Sequence, residues 1–151
     1  MQKLIVLFFA AFLLFSCKNN SSDQQAAKED SLTAETVYTW EADLNDSTGD
    51  LQMKKVESDL DTLDGNILAG YLSDEHITLQ FTRSSNDTAF IKIPDATYLT
   101  QQMGSTGAME RMATYVYNFT ELPGIHYVNF DFQEGDHAQP GTYNRASFNN
   151  Q

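Results

Sequence analysis

Beyond residue 35 the chain alternates apolar and polar residues in five short stretches and repeats apolar residues at helical spacing in two. Tyr38, Trp40, Ala42 and Leu44 take every second position, the period of a half-buried strand. Leu51 and Met53 do the same in a more polar run, and the Asn-, Asp-, Ser- and Gly-rich residues 45–50 between them read as the turn of a hairpin. Leu63, Ile67, Leu68 and Leu72 switch to helical spacing, with Thr62 as the cap and Ser73 and Asp74 as the exit. Gly65 and Gly70 each weaken a helix interior by ~1 kcal/mol relative to alanine, so only a short helix is predicted. Ile77, Leu79 and Phe81 then alternate with Thr78, Gln80 and Thr82, residues 84–87 turn, and Ala89, Ile91 and Ile93 return as a second hairpin. Met109, Met112, Val116 and Phe119, joined by Ala108, Ala113 and Tyr115, form the second helical stripe. Ser105 or Thr106 is its expected N-cap and Pro123 with Gly124 its expected stop. Val128, Phe130 and Phe132 alternate last.

The order is β-β-α-β-β-α-β. Consecutive strands can pair as hairpins while both helices cover one face. The expectation is therefore a single small α+β domain with a mostly antiparallel sheet and two helices packed on one side. About 100–110 residues suffice for one core and not two. Met103, Met109 and Met112 are expected to fill that core. Tyr143 and Phe148 in the tail are expected to pin it across the sheet or helix layer.

The first 35 residues have another character. Lys3 precedes an unbroken apolar run at 4–15. About 12 apolar residues are too few to cross a bilayer, which takes about 20, so the run reads as a signal-peptide core. Leu14, Phe15, Ser16 and Cys17 resemble a bacterial lipobox, in which a leucine and a small residue precede the lipidated cysteine, although Phe15 is bulkier than the usual residue there. The resemblance implies cleavage before Cys17 and acylation of its sulfur and its new amino terminus. Several chains anchor a protein stably where one binds only marginally. The chain then divides into a signal peptide at 1–16, a lipidated cysteine and polar linker at 17–35, and a folded domain at 36–151. The linker has no aromatic residue and is expected to be disordered, with a reach of roughly 25 Å.

Removing residues 1–16 takes away Lys3 and no acid, so nine basic residues become eight against 21 acidic and the net charge goes from −12 to −13. Such a surface repels phosphate backbones, which argues against nucleic acid as a partner. With Cys17 the one cysteine, no internal disulfide is available and burial alone must hold the domain. The expected location is the cell envelope, periplasmic or surface-facing, with the membrane as partner through the anchor and an envelope protein or cell-wall component beyond it.

Gly104, Ser105, Thr106 and Gly107 open a helix whose apolar side runs from Met109 to Phe119. Thr120, Glu121, Leu122, Pro123, Gly124 and Ile125 follow, and then Val128, Asn129 and Phe130 enter a strand. This succession resembles the second half of a GerMN domain, a module named from a spore-germination protein and found in envelope lipoproteins. The chain departs from that pattern in having one copy, a short glycine-containing first helix and a longer acidic exit. The resemblance implies a compact, non-catalytic α+β module used in binding or assembly, with no cofactor and no catalytic residues to carry over.

A few features have chemistry of their own. Asp131, Glu134, Asp136 and His137 place three carboxylates and an imidazole at a strand end, within and just before the segment QEGDHAQPGTY. Oxygen-rich loops of this sort can hold calcium, and paired carboxylates do acid–base work when burial splits their pKa values. Zinc would need three or four ligands fixed from more than one segment. The reading adopted for the loop is a polar connection, with calcium and a catalytic site as alternatives, and no metal is assigned to it. Gly104, Ser105, Thr106 and Gly107 could bind an anion through free amides or serve only as a cap and packing point, and they lack the lysine of a P-loop. His76 and His126 adjoin strand starts and would strengthen a site if they met at one end of the sheet. Tyr38, Trp40, Tyr98 and Tyr117 are candidate stacking platforms. The expected function is a membrane-tethered, non-catalytic binding or assembly module. The alternative is an envelope enzyme, or a metal, small-ligand or glycan binder, that uses the 131–137 loop or the aromatics.

Overall fold

The computed structural model describes residues 36–45 and 47–149. Cys17 and the segments expected to be signal peptide and linker lie outside them. The elements are β1 (Tyr38–Leu44), β2 (Leu51–Glu57), α1 (Gly65–Leu72), β3 (Gln80–Ser85), β4 (Thr88–Lys92), a π-helical turn (Tyr98–Gln102), α2 (Gly104–Phe119), β5 (Tyr127–Asp131), β6 (Gly141–Tyr143) and a closing 3-10 turn (Arg145–Phe148). The α+β order is as expected, with β6 added at the end.

The sheet differs from the expectation in two ways. First, β1 and β2 pair only with each other, while β3-β4-β5-β6 form a separate four-stranded sheet. Second, β4 and β5 run parallel, with antiparallel pairs on either side. Parallel neighbours need a crossover, and α2 is that crossover. Its 16 residues span about 24 Å at 1.5 Å per residue, enough to carry the chain back along a five-residue strand of about 17 Å. Alternation marks a strand and its buried side but not its partner, so the sequence could not show either feature.

The inner face of the sheet carries Ala89, Ile91, Ile93, Val128, Phe130 and Phe132, all buried. Onto it α2 lays Ala108, Met112, Ala113, Tyr115, Val116 and Phe119, with the Tyr115 and Phe130 rings 6.3 Å apart. Met103 and Met109 are only partly buried against this cluster. On α1 the buried face is Gly65, Leu68, Ala69 and Leu72, spaced i, i+3, i+4 and i+7. Ile67, expected inside, is 43% exposed. Gly65 is required at its position because a Cβ there would stand 2.6 Å from the Phe81 ring. Asp64, not Thr62, caps α1, its carboxylate accepting from the Asn66 and Ile67 amides at 2.8 and 3.3 Å.

The ends of α2 also differ from expectation. The π-helical turn runs straight into it, Met103 occupies the cap position, and Gly104 redirects the backbone at φ +76°. Ser105 and Thr106 therefore fall two and three residues too late to cap. The helix ends at Phe119, four residues before Pro123, where the Thr120 hydroxyl donates to the carbonyls of Val116 and Tyr117. The tail is pinned as expected. Tyr143 in β6 packs between Phe130 and Phe148, with ring centroids 6.1 Å away on each side.

Candidate functional site

Packing brings two of the sequence candidates together. Gly135 sits so close to the π-helical turn that a Cβ would lie 2.6 Å from the Thr100 side chain. The His137 amide donates to the Thr100 carbonyl at 2.9 Å. The loop is thus held against the start of α2, and the His137 ring meets Ser105, with Nδ1 and Oγ 3.0 Å apart. Asp136 and His137 line a cavity of about 330 Å³ with Met109, Met112, Tyr143 and Phe148. A hydroxyl on an imidazole at a helix start has the outline of a nucleophile and base, but Ser105 is exposed and no carboxylate is hydrogen-bonded to the ring among the described residues.

The other loop candidates stand apart. Glu134 is exposed. Asp131 ends β5, where its carbonyl accepts from the Ile93 amide at 3.0 Å. Among the described residues no three His, Cys, Asp or Glu side chains are placed to hold a metal ion. His76 and His126 are at opposite ends of the sheet, since His76 precedes the Gln80–Lys92 pair and His126 precedes the Tyr127–Thr88 pair. Thr106, Gly104 and Gly107 form the first turn of α2 with Ser105.

Three of the four candidate aromatics belong to a clamp that docks the β1–β2 hairpin on α2. Asn118, fully buried on α2, accepts from the Trp40 amide at 2.9 Å and donates to the Trp40 carbonyl at 2.7 Å. Thr114 one turn earlier accepts from the Ala42 amide at 3.1 Å. These two side chains stand in for a neighbouring strand along the free edge of β1. The Trp40 indole donates to Glu121 at 2.9 Å and packs edge-on to Tyr117 at 5.5 Å. Arg145 lies over Tyr117 and donates to Glu121 at 2.5 Å, and Lys55 lies over Tyr38 and Trp40. Burial alone would raise the Glu121 carboxyl, but the hydrogen bonds from Arg145 and Trp40 and the nearby cations outweigh it and hold the group below the usual carboxylate range. Trp40 and Tyr117 are therefore spoken for, and only Tyr38 is largely open. Tyr98 is remote from them, stacked on His76 at 4.1 Å.

Beside the clamp, a groove of about 520 Å³ runs between β1, the end of α1 and α2. Arg111 and Asp74 pair across it at 3.0 Å. Asp74 is also held low, its burial being outweighed by amide bonds from His76 and Ile77 and by the Arg111 charge. Among the described residues the buried Tyr115 hydroxyl has no hydrogen-bond partner, and burial pushes its pKa up.

The feature that the sequence concealed is the outer face of the four-stranded sheet. The helices lie on the inner face, and no described element covers the outer one. It presents Thr82, Arg83, Phe90, Lys92, Tyr127, Asn129, Asp131 and Thr142. Strict alternation after Phe81 would turn Thr82 outward and Arg83 inward. A bulge between Phe81 and Arg83 instead sets Arg83 opposite Phe90, and its guanidinium lies 3.5 Å over the Phe90 ring. Bulges often re-aim a side chain in this way. The Thr82 hydroxyl bonds to the Phe90 carbonyl at 3.0 Å, and Asn129 donates to Thr142 at 2.8 Å. A shallow depression of about 270 Å³ is lined by Thr82, Arg83, Phe90, Lys92, Asn129 and Asp131. The one sequence signal for this face was the break in alternation, Thr82, Arg83, Ser84 and Ser85 being polar in succession.

No family model matches the chain, and neither a curated protein nor a solved structure does.

Proposed function

We propose that the chain is a lipoprotein tethered to a membrane through Cys17 and working as a non-catalytic binding or assembly module of the bacterial cell envelope. The tether rests on the lipobox-like residues Leu14 to Cys17, and the module reading draws on the GerMN-like succession from Gly104 to Phe130. The observation that carries the binding role is the uncovered outer sheet face, with polar and aromatic side chains, Tyr127 39% exposed at one end and Arg83 turned onto it. A hydrogen-bonded sheet holds the side chains on its face in fixed register, which lowers the entropic cost of recognition.

Two experiments test this. Cys17→Ala should abolish lipid labelling and release the protein from membranes, whereas retention after a salt wash would contradict the tether. A photoreactive residue at Tyr127 should crosslink to an envelope component in native membranes, while the same residue at Ile67 on α1 should not. Equal yields from both positions would contradict a specific face.

A second reading, an envelope hydrolase, is favoured by the Ser105–His137 contact. Covalent labelling of Ser105 by a fluorophosphonate probe, lost in His137→Gln, would establish it. No labelling is expected.

A further inference from the structure

Six cationic side chains lie among the described residues, and their distribution is uneven. Lys54 pairs with Asp43, Lys55 and Arg145 with Glu121, and Arg111 with Asp74. Arg83 and Lys92 alone have no carboxylate within 4.0 Å among the described residues. In a chain of net charge −12, any cation has many acids to choose from. Yet the two that stay unpaired are both exposed and both on the outer sheet face. Phe90 lies opposite Arg83, and Lys92 is two residues further along the same strand, so about 6.6 Å separates the two positions along β4.

From this we infer that the outer sheet face binds an acidic sugar residue, a pyranose ring carrying one carboxylate. The inference rests on the binding-module reading and specifies its ligand. Arg83 and Lys92 supply charge-assisted donors for the carboxylate. Thr82, Asn129 and Asp131, lining the same depression, supply the mixture of donors and acceptors that ring hydroxyls require. The depression, about 270 Å³, is smaller than the ~300 Å³ at which sites for larger small molecules begin and matches a single ring. Asp131, beside Lys92 in the register, limits the charge the face accepts. It tolerates one negative group shared between two cations and repels a doubly charged phosphate. The strongly negative net charge acts the same way at long range against densely charged polyanions.

The test is titration of the purified lipidated protein, in detergent, with galacturonate, galactose and galactose 6-phosphate, followed by amide chemical shifts and calorimetry. Galacturonate should shift Arg83, Phe90, Lys92 and Asn129. It should bind at least about tenfold more tightly than the other two, the loss expected when a charge-assisted contact is absent or opposed. A galacturonate oligomer should bind at the same residues, and a gain proportional to its length would mark a polymer as the source of the unit. Arg83→Gln and Lys92→Gln should each lower galacturonate affinity about tenfold without changing the melting temperature. Asp131→Asn should narrow the gap between galacturonate and the phosphate. The inference is overturned if galacturonate does not bind at millimolar concentration, if galactose binds equally well, if the shifts fall elsewhere, or if both Gln variants bind like wild type. Those outcomes leave the binding module standing if Tyr127 still crosslinks in envelopes. Failure of crosslinking would instead remove the module reading itself.

Discussion

The two faces of the four-stranded sheet are made by the same residues in alternation, and they obey different rules. On β4 and β5 the inner positions, Ala89, Ile91, Val128 and Phe130, are each at most 2% exposed. All four belong to the buried cluster that α1, α2 and Phe148 complete. The outer positions, Phe90, Lys92, Asn129 and Asp131, are a mixture of aromatic, cationic, amide and acidic groups that no packing requirement selects. Antiparallel sheets commonly leave one face solvated, so exposure by itself is ordinary. What separates this face from an ordinary solvated one is Arg83. The bulge turns it outward, and it lies unpaired in an acidic protein, on an aromatic ring.

That comparison breaks most sharply by truncation. Phe130→Ala should destabilise the domain by about 3–5 kcal/mol, because an inner aromatic leaves a cavity. Phe90→Ala, one register position away on the outer face, should cost less than about 1.5 kcal/mol. Urea unfolding of both variants checks this, and similar losses would mean that the outer face is part of the core. Asn118→Ala comes next, at about 1–2 kcal/mol, since it strands the part-buried Trp40 backbone groups. Loss of Trp40 fluorescence anisotropy before global unfolding would show the hairpin detaching first.

Smaller effects follow from titration. The Asp74 and Glu121 carboxyls are held below their ordinary range. The unfolded chain therefore takes up protons at higher pH than the folded one, and the stabilisation is full above that range and lost as pH falls through it. Between about pH 5 and pH 3 the melting temperature should drop, and Glu121→Gln should flatten part of that drop. The effect is modest because both groups are largely solvent-screened. An unchanged slope would mean that the Arg145 and Trp40 contacts do not persist in solution. Smallest of all, Tyr115→Phe should stabilise by up to about 1 kcal/mol, because it removes a buried hydroxyl without a partner. A loss instead would show that a water or Arg111 satisfies it.

The legible parts of the fold are those governed by local periodicity. The inner faces of β4 and β5 and the stripe of α2 could be read because burial repeats every second residue in a strand and every three or four in a helix. Parallel pairing of β4 with β5, the separate β1–β2 sheet and the added β6 are relations between distant segments, and no period encodes them. The sites follow the same division. The 131–137 loop stood out through residue type alone, but its four candidates point to different places, with only Asp136 and His137 sharing a cavity. Its contact with Ser105 joins residues 32 apart in sequence, and the Asn118 clamp on Trp40 joins residues 78 apart. Both arise from how α2 crosses the sheet. Arg83 was hidden by a one-residue bulge, which alternation cannot anticipate.

The central claim, that the outer sheet face is the working surface, is tested most directly by the lysines. Lys54 on the hairpin and Lys92 on the outer face are both exposed. A small amine-reactive reagent should acylate both in the purified protein, Lys54 more slowly because its pairing with Asp43 raises its pKa. In native envelopes Lys92 should become several-fold less reactive while Lys54 is unchanged. The same Lys92-to-Lys54 reactivity ratio in both settings would contradict the account.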